Sequence, residues 1–214
     1  MQRKHILQDG IVYHVYNRGV DKRILFIDDY DSQRFLNLLY YCNDTEPLLH
    51  GIASDSDYAM SSRSNRLVDL YAYCLMPNHF HLLVRQRGDE GLRRFMQKLL
   101  TAYSMYFNEK YGRSGTLFEG PYKTALVDTD RYFKYVMTYI HLNPANLFSS
   151  LHNAGKIENI EKYPYSSYGS YVSGARNLLL TKHELPIEYR DIVVTGDVLN
   201  IWAEAKVARK ELES

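Results

Sequence analysis

The chain has 214 residues, 45% of them apolar, which excludes a disordered polypeptide and allows one domain with an appendage. Its 26 Lys and Arg nearly balance its 25 Asp and Glu, so the net charge of +1 selects neither an acidic nor a basic partner. No apolar run can cross a bilayer, the basic start MQRKHILQDG has no apolar stretch behind it, and Cys42 and Cys74 form neither a disulfide framework nor a CxxC zinc site, so a reducing cytoplasm is the expected setting.

Residues 11–18, IVYHVYNR, alternate apolar and polar β-formers and read as a strand that Gly19 ends. Asp28 or Asp29 caps a helix to about Cys42 that buries Phe35, Leu36, Leu38 and Leu39. Residues 43–66 are rich in Ser and Asp and weakly patterned, as in a loop or insertion. Leu67–Leu75 and His79–Gln86 read as the two strands of a hairpin. Met76-Pro77-Asn78 supplies its turn, because Pro cannot pair within a ladder and Asn tolerates tight turns.

Asp89 opens a helix to about Tyr111, with Leu92, Phe95, Met96, Leu99, Leu100, Tyr103 and Phe107 at the helical repeat. Thr116–Val127 is expected to form a bent strand, broken near Gly120-Pro121. A helix capped by Thr129 or Asp130 then runs through Asn143, where Pro144 ends or kinks it. The remainder is loop-rich to about residue 190, and a final amphipathic helix starts near Asp197. The order β-α-β-β-α-β-α implies an α+β sandwich: an antiparallel sheet with helices mainly on one face.

The first chemical feature is His79-Phe80-His81. Residues two apart on a strand share a face, so both imidazoles can meet one ion while Phe80 turns to the core. Imidazole suits Zn, Mn and Ni among others. The same pair is equally two histidines on an exposed strand face. The second feature is Tyr139 with Asn143, one turn apart on a predicted helix. A phenol and an amide there can present a nucleophile and a third metal ligand. Tyr132, Tyr135 and Tyr139 also fit an ordinary aromatic core stripe. Between His79 and Lys134 ten basic residues face six acids, a bias that draws in phosphate or serves as a solvated face. The chain's 20 tyrosines can stack on unpaired bases or pack in a core.

Taken in order, these stretches resemble one family. Tyr73-Cys74-Leu75-Met76-Pro77-Asn78-His79-Phe80-His81-Leu82-Leu83 resembles the hallmark of the single-tyrosine HUH transposases, and most of all their chromosomal REP-associated members. Tyr13-His14-Val15-Tyr16-Asn17-Arg18-Gly19 is similar to that family's first strand. Phe118-Glu119-Gly120-Pro121-Tyr122-Lys123 resembles the strand before its catalytic helix, and Tyr139-Ile140-His141-Leu142-Asn143-Pro144 the helix itself. Tyr165-Ser166-Ser167-Tyr168 matches a downstream signature. The resemblance spans roughly residues 8–172, leaving 173–214 as a C-terminal extension with its final helix.

The resemblance implies a ferredoxin-like sheet, and a divalent ion, Mg or Mn, held by His79, His81 and Asn143. It makes Tyr139 the nucleophile and a 5′-phosphotyrosine the intermediate. The substrate it implies is single-stranded or hairpin DNA. Asn17, Arg18, Tyr122 and Lys123 inside its motifs, and Arg85 beyond them, become candidate DNA contacts. Rejoining would need no ATP, and the chain has no GxxxxGK[ST] loop for a nucleotide cofactor. Spacing fixes no dedicated base, and a metal-bound hydroxide, Lys134 and His141 stay open as candidates. The chain would act as a monomer or homodimer. Three other readings stay open at this level: a domesticated hairpin-binding protein without cleavage, a structural metal protein or metal hydrolase, and a rolling-circle initiator.

Overall fold

The computed structural model describes residues 7–47, 65–148 and 158–185. The expected final helix and most of the polar 43–66 segment fall outside these residues. Four strands, β1 (Val12–Arg18), β2 (Val68–Met76), β3 (His79–Gln86) and β4 (Lys123–Val127), form one antiparallel sheet in the order β2-β3-β1-β4. The long helices are α1 (Asp29–Tyr41), α2 (Gly91–Lys110) and α3 (Asp130–Leu142), followed by a short α4 (Tyr168–Val172). Among the described residues no helix is long and apolar enough to cross a membrane.

The sheet divides the chain by side-chain parity. On one face Phe80 meets Phe35 of α1, with ring centroids 5.0 Å apart, and Phe35 meets Tyr103 of α2 at the same distance. On the other face α3 lies across the sheet, Phe133 against Tyr71 and Tyr139 against His81. Two of the three long helices thus share one face, and the third roofs the face that bears the His79 and His81 side chains. Burying each large core side chain contributes about 2–3 kcal/mol.

Local chemistry explains most element ends. Asp28 caps α1 by accepting from Asp31 N–H at 2.9 Å, and the Asp31 carboxylate accepts in return from Asp28 N–H. Thr129 caps α3 through Tyr132 N–H. Helix α2 starts at Gly91, two residues later than Asp89, where a Cβ would lie 2.4 Å from the Leu67 carbonyl. The expected bent strand over 116–127 shortens to Lys123–Val127. Ahead of it only a bridge between Phe118 and Gly19 remains, since Pro121 has no N–H to offer a ladder and Gly120 adopts φ 151°.

Residues after α3 close the sheet edge. Leu75 N–H donates to Tyr165 O, Ser167 N–H to Tyr73 O and Thr181 N–H to Leu70 O, so the outer side of β2 is covered. Ser167 Oγ also accepts from Tyr73 N–H and contacts His141 Nε2 at 2.7 Å, tying α3 to the edge segment. His141 is buried against Tyr168 and Tyr171, and burial pushes its pKa down to about 3.

Two carboxylates without solvent exposure anchor the periphery. Asp31 accepts from Ile27 N–H, Tyr106, Tyr111 and Lys110, which joins α1 to α2. Asp69 takes Arg85 at 2.7 Å and Arg87 at 3.1 Å, with Arg66 at 3.7 Å. Asp31→Ala strands the Tyr106 and Tyr111 phenols and removes one of the two carboxylates that hold Lys110. It should cost about 2–4 kcal/mol in urea unfolding, and a loss below about 1 kcal/mol would contradict the anchor.

His141 gives a pH signature. Its folded pKa lies below the ordinary 6.5, so the unfolded chain takes the proton first. The stability that neutral His141 contributes is complete above about pH 6.5 and is lost as pH falls toward 3, at up to about 1.4 kcal/mol per pH unit. Unfolding free energies measured at pH 7, 6 and 5 should fall less steeply for His141→Gln than for the parent chain.

Candidate functional site

The period-two geometry of three strands and one face of α3 converge on a single pocket of about 470 Å³. The register sets Tyr16 across from His81 and from Lys123, and Arg18 across from His79. His14, Tyr16 and Arg18 therefore stand beside His79 and His81 on the floor, with Lys123 and Ala125 of β4 next to them. Tyr132, Tyr135 and Tyr139 of α3 form the roof, and Glu119 contributes from the loop before β4.

The two imidazoles of the His79-Phe80-His81 motif lie with ring centroids 5.1 Å apart. His79 Nδ1 contacts Asn78 Oδ1 at 2.7 Å, and the His79 side chain also hydrogen-bonds Asn143. Burial holds His79 below the ordinary imidazole range. The Asn143 bond opposes that shift and nearby Arg18 adds to it. His81 Nδ1 contacts His14 Nε2 at 2.9 Å, and the two rings stack at 28°. Burial pushes the His14 pKa down to about 4, so His14 is neutral at neutral pH. Tyr139 meets His81 edge-on, centroids 5.3 Å apart, and His14 at 5.9 Å.

Helix α3 positions its residues by amphipathicity. Phe133, Val136, Met137 and Ile140 are buried in the core, leaving Tyr132, Tyr135 and Tyr139 at the pocket. Their rings run nearly parallel, at centroid spacings of 5.7 and 6.1 Å. The helix gives way to a short 3-10 turn at Asn143–Asn146, where Pro144 follows the buried Asn143 and keeps its amide at His79.

The expected DNA contacts divide. Arg18 and Lys123 line the pocket. Arg18 Nε is buried and meets no acceptor among the described residues. Asn17 lines it too, but its amide is used internally: Nδ2 donates to Gly120 O and Oδ1 accepts from Arg18 N–H. Tyr122, one residue ahead of β4, is buried in the core and does not line the pocket. Arg85 lies outside the pocket lining, at the far end of β3, and is held by Asp69 and Glu184. Of the two side-chain bases considered, His141 faces Ser167 and Lys134 is exposed outside the pocket lining.

His14, Tyr16 and Glu119 were not singled out as site residues, nor was Asn78 given more than a turn role. The alternation in residues 12–18 puts His14 and Tyr16 on Arg18's face, but only the pairing of β1 with β3 brings that face to the histidines.

Among the described residues no three His, Cys, Asp or Glu side chains converge as a metal cluster. The donors that do come together are two imidazoles and one amide. In each imidazole Nδ1 is occupied from behind, at His79 by Asn78 and at His81 by His14, which leaves Nε2 as the remaining donor atom. That set fits a divalent cation with further positions open to oxygen ligands.

The sequence model of the IS200-like transposases matches residues 49–143, from ahead of β2 to Asn143. No curated protein matches the sequence. A solved REP-associated tyrosine transposase bound to a REP hairpin superposes with a TM-score of 0.51 at 11% identity, covering 83% of this chain and 89% of that one, which is a likeness of fold. The sequence match runs through both histidines and Tyr139, so the segment from ahead of β2 to Asn143 is similar to the IS200-like transposases, and the chain shares the fold of the solved tyrosine transposase.

Proposed function

We propose that this protein is a metal-dependent single-strand DNA transposase that cleaves next to a DNA hairpin and holds the cut end on Tyr139. The observation that carries this reading is the placement of Tyr139 against His81 in the pocket that His79 also lines, with Asn143 hydrogen-bonded to His79, within one chain. A monomer therefore carries every residue of the proposed site. The structural neighbour was solved with a REP hairpin, which supports a folded-back strand as substrate.

In the proposed step Tyr139 Oη attacks the scissile phosphorus. A P–O bond to Tyr139 forms, and the P–O3′ bond breaks. The 5′ phosphate stays on the tyrosine, the departing strand leaves with a 3′-hydroxyl, and the reverse attack by a 3′-hydroxyl rejoins DNA without ATP. Phenols ionise near pH 10, so the attack requires loss of the Oη proton. Glu119 is the carboxylate on the pocket wall and the group we assign to accept it. A divalent ion, Mg or Mn, held by His79, His81 and Asn143 would neutralise charge on the phosphate when bound.

The remaining residues bind and orient. The Arg18 guanidinium, beside His79 and with an unused buried Nε, offers paired N–H donors to phosphate oxygens. Lys123 adds a second cation at the β4 side. Tyr132 and Tyr135 present flat rings on which unpaired bases beside the cut can stack, at about 1–3 kcal/mol each.

The reading is tested with 3′-labelled single-stranded hairpin oligonucleotides and Mn or Mg on denaturing protein gels. The parent chain should give a metal-dependent covalent adduct. Tyr139→Phe and His79→Ala should each lose at least about 10³-fold. Tight hairpin binding with no adduct under any metal would establish a binding protein instead, and cutting that survives Tyr139→Phe would establish a hydrolase.

Binding should separate the two arginines. Arg18→Ala should weaken oligonucleotide affinity about 10-fold and lower the slope of log affinity against log salt by about 0.7. Arg85→Ala should leave that slope unchanged, since Arg85 is committed to Asp69 and Glu184.

A further inference from the structure

We propose that His14 and Asn78 are positioning residues that fix the tautomer and ring plane of His81 and His79, so that both imidazoles present Nε2 to the pocket. This rests on the metal centre proposed above and extends it to two residues outside the ligand set.

The argument starts from hydrogen-bond inventory. Neutral imidazole carries one N–H and one lone pair, and only a lone pair can bind a cation. At His79 the partner of Nδ1 is Asn78 Oδ1, 2.7 Å away, which can only accept. Asn78 itself is oriented, because its Nδ2 donates to Lys22 O at 3.2 Å and its carbonyl accepts from Gly19 N–H at 2.9 Å. His79 must then carry its proton on Nδ1 and keep a lone pair on Nε2.

At His81 the partner is another imidazole, so the 2.9 Å contact allows two arrangements. If His14 Nε2–H donates, His81 holds its proton on Nε2 and cannot ligate through it. If His81 Nδ1–H donates, Nε2 keeps the lone pair that a cation needs, and His14 carries its own proton on Nδ1. The second arrangement matches His79, and it is the one assigned here. The stacked rings, 5.1 Å apart at 28°, leave His81 little freedom to flip. His14 comes from β1 and His81 from β3, so this contact also locks the sheet register at the site. Partners of this kind behind ligand imidazoles raise metal affinity by about 10–100-fold.

The test needs neither DNA nor cleavage. Long-range proton–nitrogen NMR on histidine-labelled, metal-free protein reads each tautomer, and Mn(II) titration followed by EPR reads affinity. The parent chain should show Nδ1–H at both His79 and His81. His14→Leu should release the His81 tautomer and weaken Mn(II) binding about 10–100-fold, while His14→Gln, which keeps an acceptor oxygen, should recover much of the loss. Asn78→Ala should act in the same way on His79, with Asn78→Asp as its rescue. Circular dichroism confirms the fold of each variant, and the parent spectrum decides the assignment even where a variant does not fold. An Nε2–H signal for His81 in the parent chain overturns the inference. So does unchanged Mn(II) affinity in His14→Leu when His79→Ala has lost it, and that outcome leaves the proposed metal centre standing. A parent chain with no Mn(II) affinity refutes the metal centre and the inference together.

Discussion

The antiparallel register of β1 against β3 places Tyr16 opposite His81 and Arg18 opposite His79. Side chains alternate along a strand, so a slip of one residue would send His14, Tyr16 and Arg18 to the face packed under α1 and α2. The register is held from both faces. Val15, Phe80 and Leu82 are buried in the core on one side, and the His14–His81 contact spans the strands on the other. The constraint also propagates outward, because β4 pairs with the far side of β1 and so brings Lys123 beside Tyr16. Three strands separated by long stretches of sequence thus supply one row of polar groups.

Helix α3 meets a second constraint, since one side packs in the core while the other lines the pocket. Its buried residues fall on the core side and its three tyrosines on the pocket side, and the Thr129 cap and the Pro144 turn bound the helix at each end. The His141–Ser167 contact fixes it from behind. His141 and Tyr139 are two residues apart on the same helix, so they point in different directions. That geometry explains why one serves the fold and the other faces His81. The Tyr165–Tyr168 stretch has a physical role in this light: it covers the edge of β2 and holds the helix that bears the nucleophile proposed above.

The hairpin of β2 and β3 was legible nearly to the residue, because alternation and the Pro77-Asn78 turn are local signals. Helices α1 and α3 were legible from their caps and apolar periodicity. The pairing of His79 with His81 followed from strand parity alone. What the sequence could not supply was anything set by long-range register. His14 lies 67 positions from His81, and no local pattern links them. Tyr122 and Lys123 look alike as members of one motif, yet Tyr122, just ahead of β4, is buried in the core and only Lys123 reaches the pocket. Arg85 keeps the parity of His79 and His81 but lies at the other end of β3, where Asp69 claims it.

The same fate of Arg85 bears on how a chain of net charge +1 could present the phosphate-binding surface proposed above. Charge works locally: an ion pair in contact is largely spent, and over distances beyond about 10 Å salt screens what remains. Asp69 absorbs Arg85 and Arg87, and Asp28 and Asp31 absorb Lys110. Those pairs stabilise the periphery and add little field at the pocket. Arg18 and Lys123 have no such acid partner among the described residues, and the half-buried walls around Arg18 lower the local dielectric and strengthen its attraction for an anion. Which cations reach the pocket without a direct acid partner among the described residues is again the work of strand register, which turns Arg18 toward His79 and leaves Arg85 beside Asp69.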